Sequence, residues 1–267
     1  LLVVSAFLMM ELNNSNALIR IYSRMVSCSF IVLAVMAYFL FVDIKCGIVQ
    51  TCFIAFYLFL FTTYQSRASV GRVFYAFAML GIASIYYVQI LFFIPVIWVL
   101  MATNIMNGCA RVYVASLLGL LLPYWFATGY YAFTDQISLI GDHFTALLDF
   151  DSQSVWLDIP LVQIVTIVFI ALLAVVGMIN FRLNNYRDKI RTRMLFDFFS
   201  VMIIFTMIFM ILQPTNMHFL LAMLIVSASP LIGHFISLTN SLITNLIFCF
   251  MLVATLALTV CNVWIQF

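Results

Sequence analysis

Long apolar runs separated by short polar segments make up the hydropathy pattern of this chain. Most runs contain about 17 to 25 residues, the length at which an α-helix crosses a hydrocarbon core of about 30 Å. Polar and apolar residues do not alternate within the runs, as they would in the strands of a membrane β-barrel. The pattern therefore predicts an all-α fold, a polytopic transmembrane helical bundle of about ten membrane segments. We expect residues 1–267 to form one transmembrane domain.

The run from Val73 to Ile105 has an unusual length. It is too long for one span and too short for two full spans. Gln89 lies near its middle. We therefore predict a hairpin of two short helices that turn between Tyr86 and Gln89, with both ends on the side of Arg72 and Arg111.

A charge gradient across one span orients the rest of the chain. The acidic segment 135–159 precedes the apolar run Leu161–Asn180, and the basic loop 181–194 follows it. Counting spans in both directions places every Lys and Arg except Lys45 on the side of the basic loop. Cytoplasmic loops are enriched in Lys and Arg. The sequence thus predicts an integral protein of a bacterial inner membrane with its basic loops in the cytoplasm.

Composition supports the membrane assignment, since 67% of the residues are hydrophobic and only 7% are charged. A soluble fold could not bury that much apolar surface. The chain begins with Leu1, and its first residues, LLVVSAFLMM, read as the end of a span. We therefore expect the N-terminus to be incomplete.

The acidic segment 135–159 is the main candidate for an external functional element. Apolar residues recur in it at helical spacing, and Asp135 is a suitable N-cap. This predicts an amphipathic helix on the outer membrane face, with His143 and the aspartates toward water. His143 with Asp142 or Asp149 would then form an acid/base or metal-binding site. The alternative, which we favour, is a solvated connector, because adjacent residues on a helix do not converge.

Polar residues and prolines within apolar runs mark a second group of candidates. Pro123 and Pro230 are expected to interrupt or kink their spans, and freed backbone groups can then line a substrate cavity. The equal alternative is a packed kink in which serines close helix contacts. The candidates for lining such a cavity are Gln89, Pro123, Ser227, Ser229 and His234.

Basic residues at the ends of the spans are candidates for binding lipid phosphates. Arg67, Arg72 and Arg111 lie on either side of the predicted hairpin. For most of the basic residues, a role in setting the topology is the simpler interpretation.

The stretch from Arg72, RVFYAFAMLGIASIYYVQILFFIPVIWVLMA, resembles one that is common in multi-pass glycosyltransferases of the GT-C type and their polymerase relatives. In both, a basic residue precedes an apolar helix with an L-G-x-A-S-like sequence, and a proline-containing helix follows. The whole chain is also similar to uncharacterised bacterial inner-membrane proteins of its size. The resemblance implies a polyprenyl-phosphate-linked substrate. It transfers no catalytic residue, since the catalytic acid of those enzymes lies in a first external loop that would precede Leu1.

Three functions are therefore considered. The first is a protein of the cell envelope that binds or handles a lipid-linked substrate of the polyprenyl-phosphate type. The second is a non-catalytic membrane subunit that packs against partner proteins, and the third is a small-solute transporter. The sequence contains no Walker, H-E-x-x-H, G-x-S-x-G or dinucleotide motif. We expect membrane lipids and protein subunits as partners, and no cofactor, metal or nucleic acid.

Overall fold

The helices of the computed structural model follow the apolar runs of the sequence. The structure describes residues 1–66, 69–148, 159–238 and 242–266. Within these ranges the chain forms α-helices joined by turns and short 3₁₀ segments, and no β-strand occurs there. The helices are α1 (Leu2–Asn16), α2 (Met25–Met36), α3 (Ile44–Phe61), α4 (Val70–Tyr86), α5 (Phe93–Thr103), α6 (Ala110–Phe133), α7 (Ser138–Thr145), α8 (Leu161–Asn184), α9 (Ile190–Leu212), α10 (Met217–Leu238) and α11 (Leu242–Gln266).

The helix lengths confirm the all-α class and the membrane character of the chain. Among the described residues, 6 helices are long and apolar enough to cross a membrane, namely α3, α6, α8, α9, α10 and α11. Helices α2 and α4 and the stretch Val88–Thr103 are apolar but shorter. All helices except α7 correspond to the predicted membrane segments. That every one of them spans the membrane stays a prediction.

Helix α10 forms the centre of the bundle. In its apolar 18-residue stretch, 89% of the residues are buried. Helices α2, α3, α8 and α9 pack around it. Close approach requires a residue without a side chain at the crossings. A Cβ at Gly233 would lie only 3.0 Å from Cα of Val26 in α2, and one at Gly177 of α8 would lie 3.2 Å from Cβ of Leu231. Small residues thus let α2 and α8 press directly on α10.

Prolines do not break the two helices that contain them. Helix α6 continues through Pro123 and α10 through Pro230, so the predicted interruptions are absent. Both prolines are buried, and neighbouring helices pack against them. Pro123 contacts the α4 backbone closely, since a Cβ at Gly81 would lie 3.0 Å from its Cγ.

The predicted hairpin is confirmed. Helix α4 ends at Tyr86, the 3₁₀ segment Val88–Phe92 makes the turn, and α5 begins at Phe93. The far ends of the hairpin meet on one side of the bundle. There, the backbone N–H of Gln65 donates to the carbonyl of Ile105 over 3.0 Å. Nδ2 of Asn107 donates to Oγ of Ser69 over 3.1 Å.

Helices α2 and α11 pack at the edge of this core, and α11 is the less buried. Only 11% of the residues in its apolar 18-residue stretch are buried. Near its C-terminus, Nδ2 of Asn262 donates to the carbonyl of Met36 over 3.0 Å and to Oγ1 of Thr166 over 2.8 Å. Polar contacts between helices are stabilising in an apolar solvent. The two hydrogen bonds of Asn262 therefore fix α11 to α2 and α8 at that end.

The crossing of α4 and α6 yields a stability prediction. A Cβ at Gly119 would collide with the carbonyl of Phe74, whereas no atom lies within 4 Å of a Cβ at Gly129 on the same helix. We expect Gly119→Ala to lower the free energy of unfolding by about 1–3 kcal/mol, the usual cost of overpacking. Denaturant unfolding in mild detergent measures it. Gly129→Ala is the matched control, and equal effects of the two substitutions would contradict the tight crossing.

Candidate functional site

One end of the bundle gathers the basic loops, and we call it the basic end. It is formed by residues 17–24, 62–66, 104–109 and 185–189 and by the helix ends that they join. Hydrogen bonds connect these segments. Nη2 of Arg191 donates to Oδ1 of Asn16 over 2.8 Å and to the carbonyl of Phe61 over 3.3 Å. Nδ2 of Asn104 donates to the carbonyl of Met194 over 3.1 Å.

The segment predicted as a basic loop, 181–194, is largely helical. Helix α8 continues to Asn184 and α9 begins at Ile190, so the connection between them is short. Arg182 lies on α8, where its Nη2 is 3.2 Å from Oδ1 of Asp197 on α9. The ion pair joins the two helices where they meet.

Asp188 occupies the centre of the basic end. Its side chain is 0% exposed although it lies in the short connection between α8 and α9. Oδ1 is 3.0 Å from Nε of Arg20, and Oδ2 is 3.0 Å from Nε2 of His234. Both carboxylate oxygens therefore have a nitrogen partner, one from the α1–α2 loop and one from α10.

The imidazole of His234 is held by aromatic rings as well as by Asp188. The rings of Phe181 on α8 and Phe196 on α9 meet it at centroid distances of 5.4 and 5.1 Å, both nearly edge-on. The imidazole is buried, and its Nδ1 has no hydrogen-bond partner within the described residues. Packing on both sides and a hydrogen bond at Nε2 leave the ring a single orientation.

Burial determines what this network does. A buried carboxylate loses several kcal/mol of hydration, and only close partners offset that loss. Arg20 and His234 together supply them, and Nη1 of Arg20 also donates to the carbonyl of Arg187 over 3.4 Å. We interpret the network as an anchor that joins the α1–α2 loop, the α8–α9 connection and the end of α10.

The predicted phosphate-binding arginines lie elsewhere on the basic end. Nη1 of Arg72 donates to the carbonyl of Thr62 over 2.9 Å and so caps the C-terminus of α3. Arg111 is exposed in the first turn of α6. Arg67 lies outside the described residues. Helices α4 and α6, which carry Arg72 and Arg111, pack against each other on the side of α3.

The predicted cavity-lining residues are not brought together. Gln89 lies in the hairpin turn and its Nε2 donates to the carbonyl of Ala146 over 3.0 Å. That turn and the basic end are separated by α4, whose length is about 25 Å at 1.5 Å per residue. His234 lies at the basic end, so the two side chains occupy opposite ends of the bundle. Pro123 packs between α4 and α6.

Ser227 and Ser229 serve packing contacts within the core. Oγ of Ser227 is 2.8 Å from the hydroxyl of Tyr57, and both side chains are fully buried. Ser229 bonds through its hydroxyl to the carbonyl of Ile225 in its own helix. Its carbonyl accepts a hydrogen bond of 2.9 Å from Oγ of Ser29 on α2. Both serines thus close contacts between and within helices.

The external acidic segment differs from its prediction. Helix α7 begins at Ser138 after Ile137, and Asp135 adopts a left-handed conformation with φ 55°, so Asp135 is not the N-cap. His143 faces protein rather than water, with its ring 6.0 Å from that of Tyr124. Partial burial lowers the pKa of His143.

The aspartates of this segment do not form a site with His143 in the described residues. Asp142 is exposed, whereas His143 is half-buried, so the two side chains diverge as helical neighbours do. Asp149 lies outside the described residues. Within those residues, no group of three or more His, Cys, Asp or Glu side chains could hold a metal ion.

Sequence reasoning did not find an apolar cavity of about 420 Å³ between α2, α8, α10 and α11. Its lining includes Met25 and Val32 of α2, Ile232 and Ile236 of α10, and Leu252 of α11. Met25 is the first residue of α2, and Ile236 lies near the end of α10, so the cavity begins at the basic end. Helices that are apolar on every face carry no periodic signal for a cavity.

No protein-family model, curated protein or solved structure matches this chain. We therefore infer function from the basic end and from the cavity that begins there.

The Asp188 network yields a second stability prediction. Asp188→Ala removes the hydrogen-bond partner of the buried His234 and the anion beside the exposed Arg20, and a buried polar group left unpaired costs about 1–3 kcal/mol. We expect the free energy of unfolding to fall by that amount in mild detergent. Asp142→Ala, at an exposed position of α7, is the control and should leave stability unchanged. Equal stability of the two variants would contradict the anchor.

Proposed function

We propose that this chain is a multi-pass protein of a bacterial inner membrane that binds a phosphate-bearing lipid of the polyprenyl-phosphate type for the cell envelope. One observation carries the proposal: an apolar cavity begins at the end of the bundle where most of the described Arg and Lys residues lie. A lipid has the matching polarity, with an apolar chain and an anionic headgroup.

The cavity suits the chain of a lipid. Four helices wall it, and its lining is almost entirely aliphatic and aromatic, with Cys28, Ser29 and Thr255 as the small polar exceptions. One of its walls is α11, the least buried of the six long helices. Bilayer chains are as apolar as leucine, so burial alone gives no preference for one lipid. Selection must come from the fit of the chain and from its headgroup.

The headgroup would lie among the cations of the basic end. Arg24 directly precedes Met25, the cavity-lining residue at the start of α2, and its side chain is exposed. Basic residues near a membrane surface attract anionic lipids by about 1 kcal/mol each. The positive-inside rule supports a cytoplasmic position for this end.

The likeness of the hairpin to GT-C-type enzymes agrees with this ligand class. In the structure, the stretch from Arg72 folds as two helices with a turn between them. We propose binding or handling of the lipid, and we assign no catalytic residue.

A cavity-filling substitution tests the proposal. Val32 and Val35 both lie on α2 with exposed side chains, but only Val32 lines the cavity. We expect Val32→Trp to reduce retention of polyprenyl phosphate about tenfold or more, because the indole would occupy the space of the chain. Native mass spectrometry of protein incubated with that lipid in mild detergent measures the occupancy.

Val35→Trp is the matched control and should retain the lipid as the native chain does. Equal occupancy of the Val32→Trp and Val35→Trp variants would contradict the proposal. So would a native chain that carries a stoichiometric polypeptide and binds no lipid, a result that supports the non-catalytic subunit instead.

A further inference from the structure

We propose that Arg187 and Lys189 form the cation pair that binds the phosphate of the lipid, with Asp188 between them holding the pair in place. The inference rests on the proposed function and names its headgroup site. The ligand class is a phosphate or diphosphate ester of a long-chain lipid.

The backbone separates the pair from the carboxylate between them. Asp188 has φ −96° and ψ 154°, and Lys189 has φ −61° and ψ 149°. In an extended backbone, successive side chains point to opposite sides. The carboxylate of Asp188 points inward to Arg20 and His234, and the side chains of Arg187 and Lys189 are both exposed. Burial of one acid thus directs two cations outward.

The contact with His234 places the pair at the depth of the bundle where the cavity begins. His234 lies on α10 between Ile232 and Ile236, which both line the cavity from another face of the helix. Since Asp188 bonds directly to His234, its two neighbours lie at the same level of the bundle as the start of the cavity. Residues 17–24, which lead to the cavity through Met25, contact the same connection through Arg20.

Among the described residues, no acid forms an ion pair with Arg187 or Lys189. Nε of Arg187 donates to the hydroxyl of Tyr186 over 2.8 Å, and its guanidinium lies 5.1 Å from the centre of that ring. The structure shows no ion pair for Lys189 in the described parts of the chain. Several other cations of the basic end have protein partners: Arg20 has Asp188, Arg182 has Asp197, Arg191 has Asn16 and Phe61, and Arg72 has Thr62.

The two types of cation suit a phosphate. Arg presents a planar fork of donors that matches two phosphate oxygens, and Lys adds a mobile point charge. A cation over an aromatic ring, as Arg187 lies over Tyr186, is attracted to the face of that ring. A pair of cations near the surface should favour an anionic over a neutral headgroup by about thirtyfold, from about fivefold each.

The test compares two double variants of the full chain that each remove two cations from the basic end. Arg187→Gln with Lys189→Gln removes the proposed pair. Arg72→Gln with Arg111→Gln removes two exposed cations on the α4–α6 side, which are the competing candidates for the phosphate. Affinities are measured in detergent micelles for a polyprenyl monophosphate, for the same polyprenol without phosphate and for inorganic phosphate.

We expect the Arg187/Lys189 variant to bind polyprenyl phosphate about thirtyfold more weakly, with a smaller salt dependence than the native chain. Its affinity for the polyprenol should be unchanged, and the Arg72/Arg111 variant should match the native chain throughout. Thermal unfolding of the Arg187/Lys189 variant should match that of the native chain, because both substituted side chains are exposed.

Equal affinity of the native chain and the Arg187/Lys189 variant for polyprenyl phosphate would overturn the inference and leave the proposed function intact. Failure of the native chain to bind either polyprenyl lipid would overturn the proposed function itself. Displacement of the lipid by inorganic phosphate at equal concentration would overturn the assignment to a lipid headgroup.

Discussion

A buried carboxylate must find hydrogen-bond donors within the protein, and much of the basic end is arranged around that requirement at Asp188. Arg20 reaches it from the loop after α1, and His234 reaches it from the central helix. The two bonds bring together segments that are far apart in the chain. A carboxylate loses several kcal/mol of hydration when it is buried, so loss of either partner would destabilise the fold. The network therefore fixes the ends of α2, α8, α9 and α10 relative to one another.

Close helix packing transmits that order into the rest of the bundle. Helix α10 is buried along most of its length, and Gly177 and Gly233 allow its neighbours to touch its backbone or Cβ atoms. In a membrane, helices associate through such contacts and through hydrogen bonds rather than through the hydrophobic effect. Helix α11 shares few of these contacts. The apolar cavity lies where α11 faces α2, α8 and α10, so weak packing of one helix and an apolar space of about 420 Å³ occur together.

Local pattern was sufficient to predict most of the fold. Apolar runs predicted the positions of the helices. The run from Val73 to Ile105 is too long for one span and too short for two, and that length predicted the hairpin. Both signals are contained in short stretches of sequence. The asymmetry of Lys and Arg predicted that the basic loops share a side, and the hydrogen bonds of Arg191 and Asn104 join several of them at one end.

The candidate site could not be predicted in the same way. Asp188 read as a single acid in a basic loop, and His234 as a cavity residue, since nothing local shows that residues 46 positions apart share a hydrogen bond. His143 was expected to face water, but contact with Tyr124 on α6 turned it toward protein. Asp135 has the right chemistry for an N-cap and the wrong backbone conformation for it. Tertiary contacts decided each of these cases.

The arrangement of the chain across the membrane is the central claim, and labelling of introduced cysteines tests it most directly. In a cysteine-free background, single cysteines replace Arg111, Lys189 and Asp142, which are all exposed. A membrane-impermeant maleimide is then applied to intact spheroplasts and to inverted vesicles. The account predicts that positions 111 and 189 react only in inverted vesicles and position 142 only in spheroplasts. Reaction of positions 111 and 189 from different sides, or of 142 and 189 from the same side, would contradict it.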